Sequence, residues 1–228
     1  MNYHIDEKKI CNLMLSLAWL MMFSCESKKK EINTSNSLEF DIDTFVQDIP
    51  REKNGDFDFA YRTKDTIEKR VGLIDLSKGY DSVFIRLYYS YSLSEISQMV
   101  EIFYDKKIES WQSKIHTLLF EYSTNGDSLI NVKDSVVQAS PKSGWQVMMK
   151  KLNSFDMIDL PDCSMLENYA LPMDGDGVMV QVATNKKYRM YSYTMPVLYK
   201  NLIPEAKKMY KILYVIQDEL GFKQIGEM

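Results

Sequence analysis

Between Val83 and Tyr91 the chain alternates with a period of two. Val83, Ile85, Leu87, Tyr89 and Tyr91 fall on one side, and Phe84, Arg86, Tyr88 and Ser90 on the other. A strand sends successive side chains to opposite faces, whereas a helix would scatter these residues around its axis. The segment reads as a strand with one face in a core and the other partly covered. Its backbone needs partners, because an isolated strand leaves N–H and C=O groups unpaired. Met99 to Tyr104 and Trp111 to Tyr122 repeat the β character, Asn125-Gly126 supplies the positive φ angles of a tight hairpin, and Val132 to Gln138 makes a returning strand. The N-terminal half therefore predicts an antiparallel β-meander.

Pro141 ends that pattern. Ser143-Gly144-Trp145-Gln146 has the spacing of a capping box, and Trp145, Met148, Met149 and Leu152 follow at helical intervals, predicting a helix from about Gly144 to Asn153. Gly177 to Thr184 and Lys187 to Thr194 alternate again and read as a hairpin. After Pro204, Met209, Leu213, Ile216 and Leu220 step along one face of a last helix that Gly221 stops. Phe57 to Ala60 shows a brief strand pattern, and Ile67 to Leu76 fits either strand or helix. The order predicts an α+β fold: an antiparallel β-meander with a β-hairpin and two amphipathic helices packed on the sheet.

The N-terminus has a different grammar. Leu13 to Phe23 is apolar apart from Ser16, too short for a bilayer core that needs about 20 helical residues. It fits the h-region of a cleaved signal, with Lys8 and Lys9 ahead of it and small Ser24 before Cys25. Cys25 is placed to become the first mature residue and to carry a diacylglyceryl thioether. The expected organisation is a lipoprotein signal peptide over 1–24, the lipidated Cys25 with a polar tether to Ser37, and a single α+β domain over 38–228. Several acyl chains make such attachment practically permanent. Glu26, rather than Asp, follows the cysteine, and its resemblance to the sorting rule of some Gram-negative lineages implies the outer membrane of a bacterial cell envelope. An ordinary secretory signal cut near Ser24, or an uncleaved signal anchor, fits the same run.

Charge and cysteine content narrow the classes further. A net charge of −4 with no basic stripe gives no footprint for nucleic acid. Of the three cysteines, Cys11 leaves with the signal and Cys25 takes the lipid, so Cys163 is expected as a buried small hydrophobe without a disulfide partner.

From Ser143 onward, Ser143-Gly144-Trp145 opening a helix, Leu160-Pro161, Asp-Gly before a strand, a Tyr-rich strand closing on Pro196, and a Lys-rich last helix are together similar to a group of small bacterial lipoproteins of unknown function. The resemblance rests on packing residues and turns. It implies a location and carries over no site residue.

Candidate chemistry is sparse. Asp174-Gly175-Asp176-Gly177 places two carboxylates on a Gly-rich turn, but the calcium-loop pattern fails in either register, and Asp-Gly favours a plain turn before a strand. His116, the single histidine beyond the signal, falls on a strand face with Lys114, Leu118 and Phe120, which suits a half-buried strand residue better than a general base. Asp156 with Asp159, or Glu95 with Glu101, would serve a glycosidase only across a cleft. Tyr88, Tyr89, Tyr91, Tyr188, Tyr191 and Tyr193 fit sheet packing better than a stacking platform. Phosphate-loop, dinucleotide, zinc-protease and nucleophile-elbow patterns are all missing. No catalytic residue, cofactor or metal is assigned. The expectation is a non-enzymatic, membrane-anchored envelope lipoprotein that binds a protein or ligand. The alternatives are a carboxylate-based envelope hydrolase and an immunity-type inhibitor of a toxin.

Overall fold

The computed structural model describes residues 45–51, 59–90, 94–125, 128–170 and 175–222, all within one compact unit, Ile42–Met228. The signal segment, Cys25 and the tether lie outside the described residues. Among those described, no helix is long and apolar enough to cross a membrane.

The alternating segments form strands: β1 (Val46–Asp48), β2 (Phe84–Ser90), β3 (Ile96–Asp105), β4 (Ser110–Tyr122), β5 (Leu129–Ala139), β6 (Gly177–Ala183) and β7 (Lys187–Thr194). Among the described residues four α-helices accompany them: α1 (Phe59–Val71), α2 (Trp145–Ser154), α3 (Pro196–Tyr199) and α4 (Pro204–Leu220). The fold is α+β, built on one seven-stranded sheet of order β1-β7-β6-β2-β3-β4-β5. Strands β2 to β5 form the expected meander, and the β6–β7 hairpin joins the open side of β2. The sheet is nevertheless mixed, because β1 runs parallel to β7. Three residues are too few to show a period, and two charges fix this edge. Asp48 lies 3.3 Å from Arg189 Nε and 3.7 Å from Lys187 Nζ. Gly79 holds the neighbouring turn at φ +88°, where a side chain would collide with the Phe45 ring and the Thr184 carbonyl.

Helices cover both faces. On the front face α2 and α4 bury Met148, Leu152, Met209, Ile212, Leu213 and Ile216 against Ile85, Leu87, Val100, Val180 and Tyr191. Pro204 starts α4, and Gly221 ends it in the left-handed region at φ 72°. The third major helix corrects the sequence reading. Phe59 and Ala60 begin α1 rather than a strand, Phe57 and Asp58 lie outside the described residues, and Ile67 belongs to the same helix. Helix α1 packs on the back face between two apolar clusters, one around Phe84 and Tyr188 and one around Tyr88, Met99 and Leu118.

The capping box is also corrected. Gly144 is the N-cap residue of α2, with φ 83° and no side-chain cap. Ser143 serves another partner instead. Its N–H and its hydroxyl each donate to the Glu219 carboxylate at 2.8 Å, and Lys151 Nζ donates to the same carboxylate at 2.6 Å. The end of α4 thereby fixes the start of α2.

Candidate functional site

Two arrangements stand out, one on each face of the sheet. On the back face a line of charged residues crosses four strands and α1 within the core. Glu68 of α1 accepts from Tyr88 OH (2.9 Å) and Gln181 Nε2 (2.6 Å) and pairs with Arg86 Nη1 (3.0 Å) and Lys64 Nζ (3.3 Å). Arg86, fully buried, donates through Nε and Nη2 to Glu101 at 3.0 and 2.8 Å, and through Nη1 to the Ile74 carbonyl at 3.1 Å. Beyond Glu101 stands His116, whose Nε2 lies 3.5 Å from Glu101 Oε2 and whose Nδ1 lies 2.8 Å from Asp134 Oδ2. The distance to Glu101 is that of an ion pair, and Nε2 makes no hydrogen bond.

The charge order is Lys64⁺, Glu68⁻, Arg86⁺, Glu101⁻, His116, Asp134⁻. A neutral imidazole carries one N–H and would turn a lone pair towards one of its two carboxylates. A protonated ring turns an N–H towards each carboxylate, hydrogen-bonding Asp134 and ion-pairing with Glu101, and brings the line to neutrality. Burial works against the charged ring, but Glu101 and Asp134 outweigh it and raise the His116 pKa above 6.5. Burial likewise opposes the Glu101 charge, and His116 with Arg86 overcomes it and holds that carboxyl below 4.5.

A pH dependence follows. A histidine whose folded pKa is raised stabilises the fold in full below 6.5, and the contribution is lost as pH rises through the folded value. Urea midpoints are expected to fall between about pH 6 and about pH 9, with His116→Gln flattening this dependence. A wild-type midpoint that does not change over this range would contradict the charged ring.

This network is closed. Its members are buried apart from the partly covered Asp134, so it organises the fold and offers no opening to a ligand. His116 is thus fully rather than half buried, and Glu101 is an ion-pair partner rather than half of a catalytic pair. Glu95 is exposed, and Asp156 pairs with Lys208 at 2.6 Å. Among the described residues no group of acids, histidines and cysteines is arranged to hold a metal ion. Asp176 accepts from Tyr89 OH at 3.1 Å, while Asp174 lies outside the described residues. Cys163 is buried in the front core.

The tyrosines are packing residues. Tyr88, Tyr89, Tyr188, Tyr191 and Tyr193 are buried, and Tyr91 lies outside the described residues. Tyr191 and Tyr193 donate to the carbonyls of Met157 (2.6 Å) and Pro161 (2.9 Å), pinning the turn after α2 onto β7. Arg189 completes that clamp by donating to the carbonyls of Ile158 and Leu160 at 2.7 and 2.8 Å.

The open site is on the front face, where the β3–β4 turn meets α2. Tyr104 and Trp111 are cross-strand partners on the front face, with ring centroids 5.6 Å apart at 73°. Trp145, at the first turn of α2, lies 6.4 Å from Trp111 at 28°, so the two indoles are nearly parallel. With Met149 one turn further along α2, they line a cleft of about 710 Å³. Around this aromatic wall stand Ser110, Gln146 and Asn153, with Glu109 and Lys150 as the only charged lining residues. Asp105 shapes the turn by accepting from Lys107 N–H at 2.8 Å, and Glu109 takes the left-handed conformation at φ 49°. All three rings are half-buried. The volume falls within the usual range of small-molecule sites, about 300–1,000 Å³.

The lining holds no nucleophile with an adjacent base, and Glu109 is its single carboxylate, whereas glycoside hydrolysis takes a facing pair. The lining offers aromatic faces for stacking and side-chain amides for hydrogen bonds. Periodicity had placed Trp145 on α2, but Tyr104 and Trp111 come opposite it only through the turn that joins β3 to β4. No protein-family model matches this chain, and a comparison with curated proteins finds no match.

Proposed function

We propose that this chain is a non-enzymatic binding module of the bacterial cell envelope, held to the membrane by lipid on Cys25, that captures a ligand in the Tyr104–Trp111–Trp145 cleft. The observation that carries the binding role is the cleft itself: a half-open aromatic wall with convergent polar groups and no catalytic pair. The anchor rests on the apolar run and the cysteine behind it.

The chain has three tryptophans, and Trp19 leaves with the signal, so both remaining indoles, Trp111 and Trp145, line the cleft. Intrinsic fluorescence of the mature domain is therefore a direct reporter of occupancy. Titration with soluble envelope fragments, both glycan strands and their stem peptides, is expected to give a saturable change. Trp111→Ala should weaken that binding at least about tenfold, as truncating an aromatic anchor does. A flat titration with every fragment would remove the cleft as a receptor site. Mass analysis of the mature N-terminal peptide, wild type against Cys25→Ala, tests the anchor separately, since an unmodified start would detach the domain from the membrane.

A further inference from the structure

Resting on that reading of the cleft, we infer that its ligand class is an uncharged glycan, an oligosaccharide that lays the apolar face of a sugar ring against Trp111 and Trp145. Three features of the lining point there, and each excludes a competing class.

The first is the shape of the wall. Two nearly parallel indoles, with Tyr104 edge-on to one of them, present a shallow apolar surface rather than a deep hole. A pyranose has the matching surface, a face of axial C–H groups, whose weakly positive hydrogens meet the negative face of an aromatic ring. A branched aliphatic side chain, by contrast, is best held by enclosure on several sides.

The second is the ring of polar groups. Gln146 and Asn153 stand seven residues apart on α2, hence on one face of the helix, and both line the cleft beside the indoles. An amide is donor and acceptor at once, and so is a hydroxyl. Sugar hydroxyls, also donors and acceptors, surround the apolar face of the ring and fall where such groups can pair with them. A purely apolar ligand would leave these groups without a role and would strip water from them at a cost.

The third is charge. Glu109 and Lys150 contribute one negative and one positive group, so the lining sums to zero and offers no steering to an anion or a cation. An acidic glycan, a phosphate ester or a basic peptide would meet as much repulsion as attraction.

The test uses the mature domain and its two cleft tryptophans. Neutral oligosaccharides of glucose, mannose and N-acetylglucosamine are titrated at low and at about tenfold higher salt, beside short peptides carrying tryptophan or leucine as non-glycan probes. The expected result is a saturable fluorescence change with at least one oligosaccharide, with a dissociation constant that stays within about twofold as salt is raised, because no net charge is being paired. Trp145→Ala should abolish it, and Gln146→Ala should weaken it about fivefold while leaving the thermal midpoint in place, since Gln146 is exposed. Binding of the peptides alone would overturn the glycan assignment and leave the cleft as a receptor site. Strongly salt-dependent binding of a charged fragment alone would overturn it equally. Silence from every probe would overturn both the ligand class and the cleft.

Discussion

Replacing Arg86 with methionine is expected to lower the stability of the domain by about 3–5 kcal/mol, because it leaves two buried carboxylates facing each other without their shared cation. Arg86 is fully buried and pairs with Glu68 at 3.0 Å and Glu101 at 2.8 Å. Single domains are stable by only about 5–15 kcal/mol, so the substitution brings this one close to unfolding at neutral pH. The methionine fills much of the arginine's volume, and the loss is therefore electrostatic rather than a cavity effect. That distinction is testable within one series. Adding Glu68→Gln and Glu101→Gln to Arg86→Met removes both stranded charges and should recover a large part of the urea midpoint. A triple variant no more stable than the single one would show that the guanidinium matters for packing and not for charge.

The second large effect is at Glu219. Its carboxylate accepts three hydrogen bonds, two from Ser143 and one from Lys151, and Lys151, then Ser143, hold its pKa down to about 2. Glu219→Ala is expected to cost about 2–3 kcal/mol, the usual worth of charge-assisted bonds to a covered group. A carboxyl held lower in the folded chain than its ordinary 4.5 stabilises at every pH above that value, and the contribution fades as pH falls through about 2. Acid unfolding of the wild type should accordingly carry a component below about pH 4 that Glu219→Ala lacks. The alanine variant also loosens the entry to α2, where Trp145 sits. Fluorescence titration of the cleft should show weaker binding even though Glu219 touches no part of it. Unchanged affinity in a folded Glu219→Ala domain would uncouple the carboxylate from the cleft.

The strands were legible because their alternation is written in contiguous residues, and α4 because Met209, Leu213, Ile216 and Leu220 form an uninterrupted apolar stripe. Helix α1 was not legible, for a physical reason. Its inward stripe is Tyr61, Lys64, Glu68 and Val71, and the two central positions are charged. Hydrophobic periodicity is blind to a face that docks by ion pairs. The same blindness hid the back-face network, since Arg86 and Glu101 sit in strand patterns where a charge normally marks the solvent side. Strand β1 was missed because three exposed residues carry no period. The capping box misled because Ser143 and Gln146 have the right spacing, while the Ser143 hydroxyl is bound by Glu219, a residue 76 positions away that no local motif can register. Of the cleft, only the α2 side could be read in advance. Its other side depends on which residues of β3 and β4 the turn brings opposite each other.

The two borders of the sheet differ in what they offer to a neighbouring chain. One is closed by a three-residue parallel strand, while β5 leaves eleven residues along the other, with Ile130, Val136 and Val137 exposed. Such a border is a template on which a neighbouring chain can add itself strand by strand. Lys133 and Asp134 stand at its middle, Lys133 tied to Glu121, and the register slips between Glu121 and Tyr122. The charged pair at its middle and the irregularity near its start both work against such pairing along the whole border.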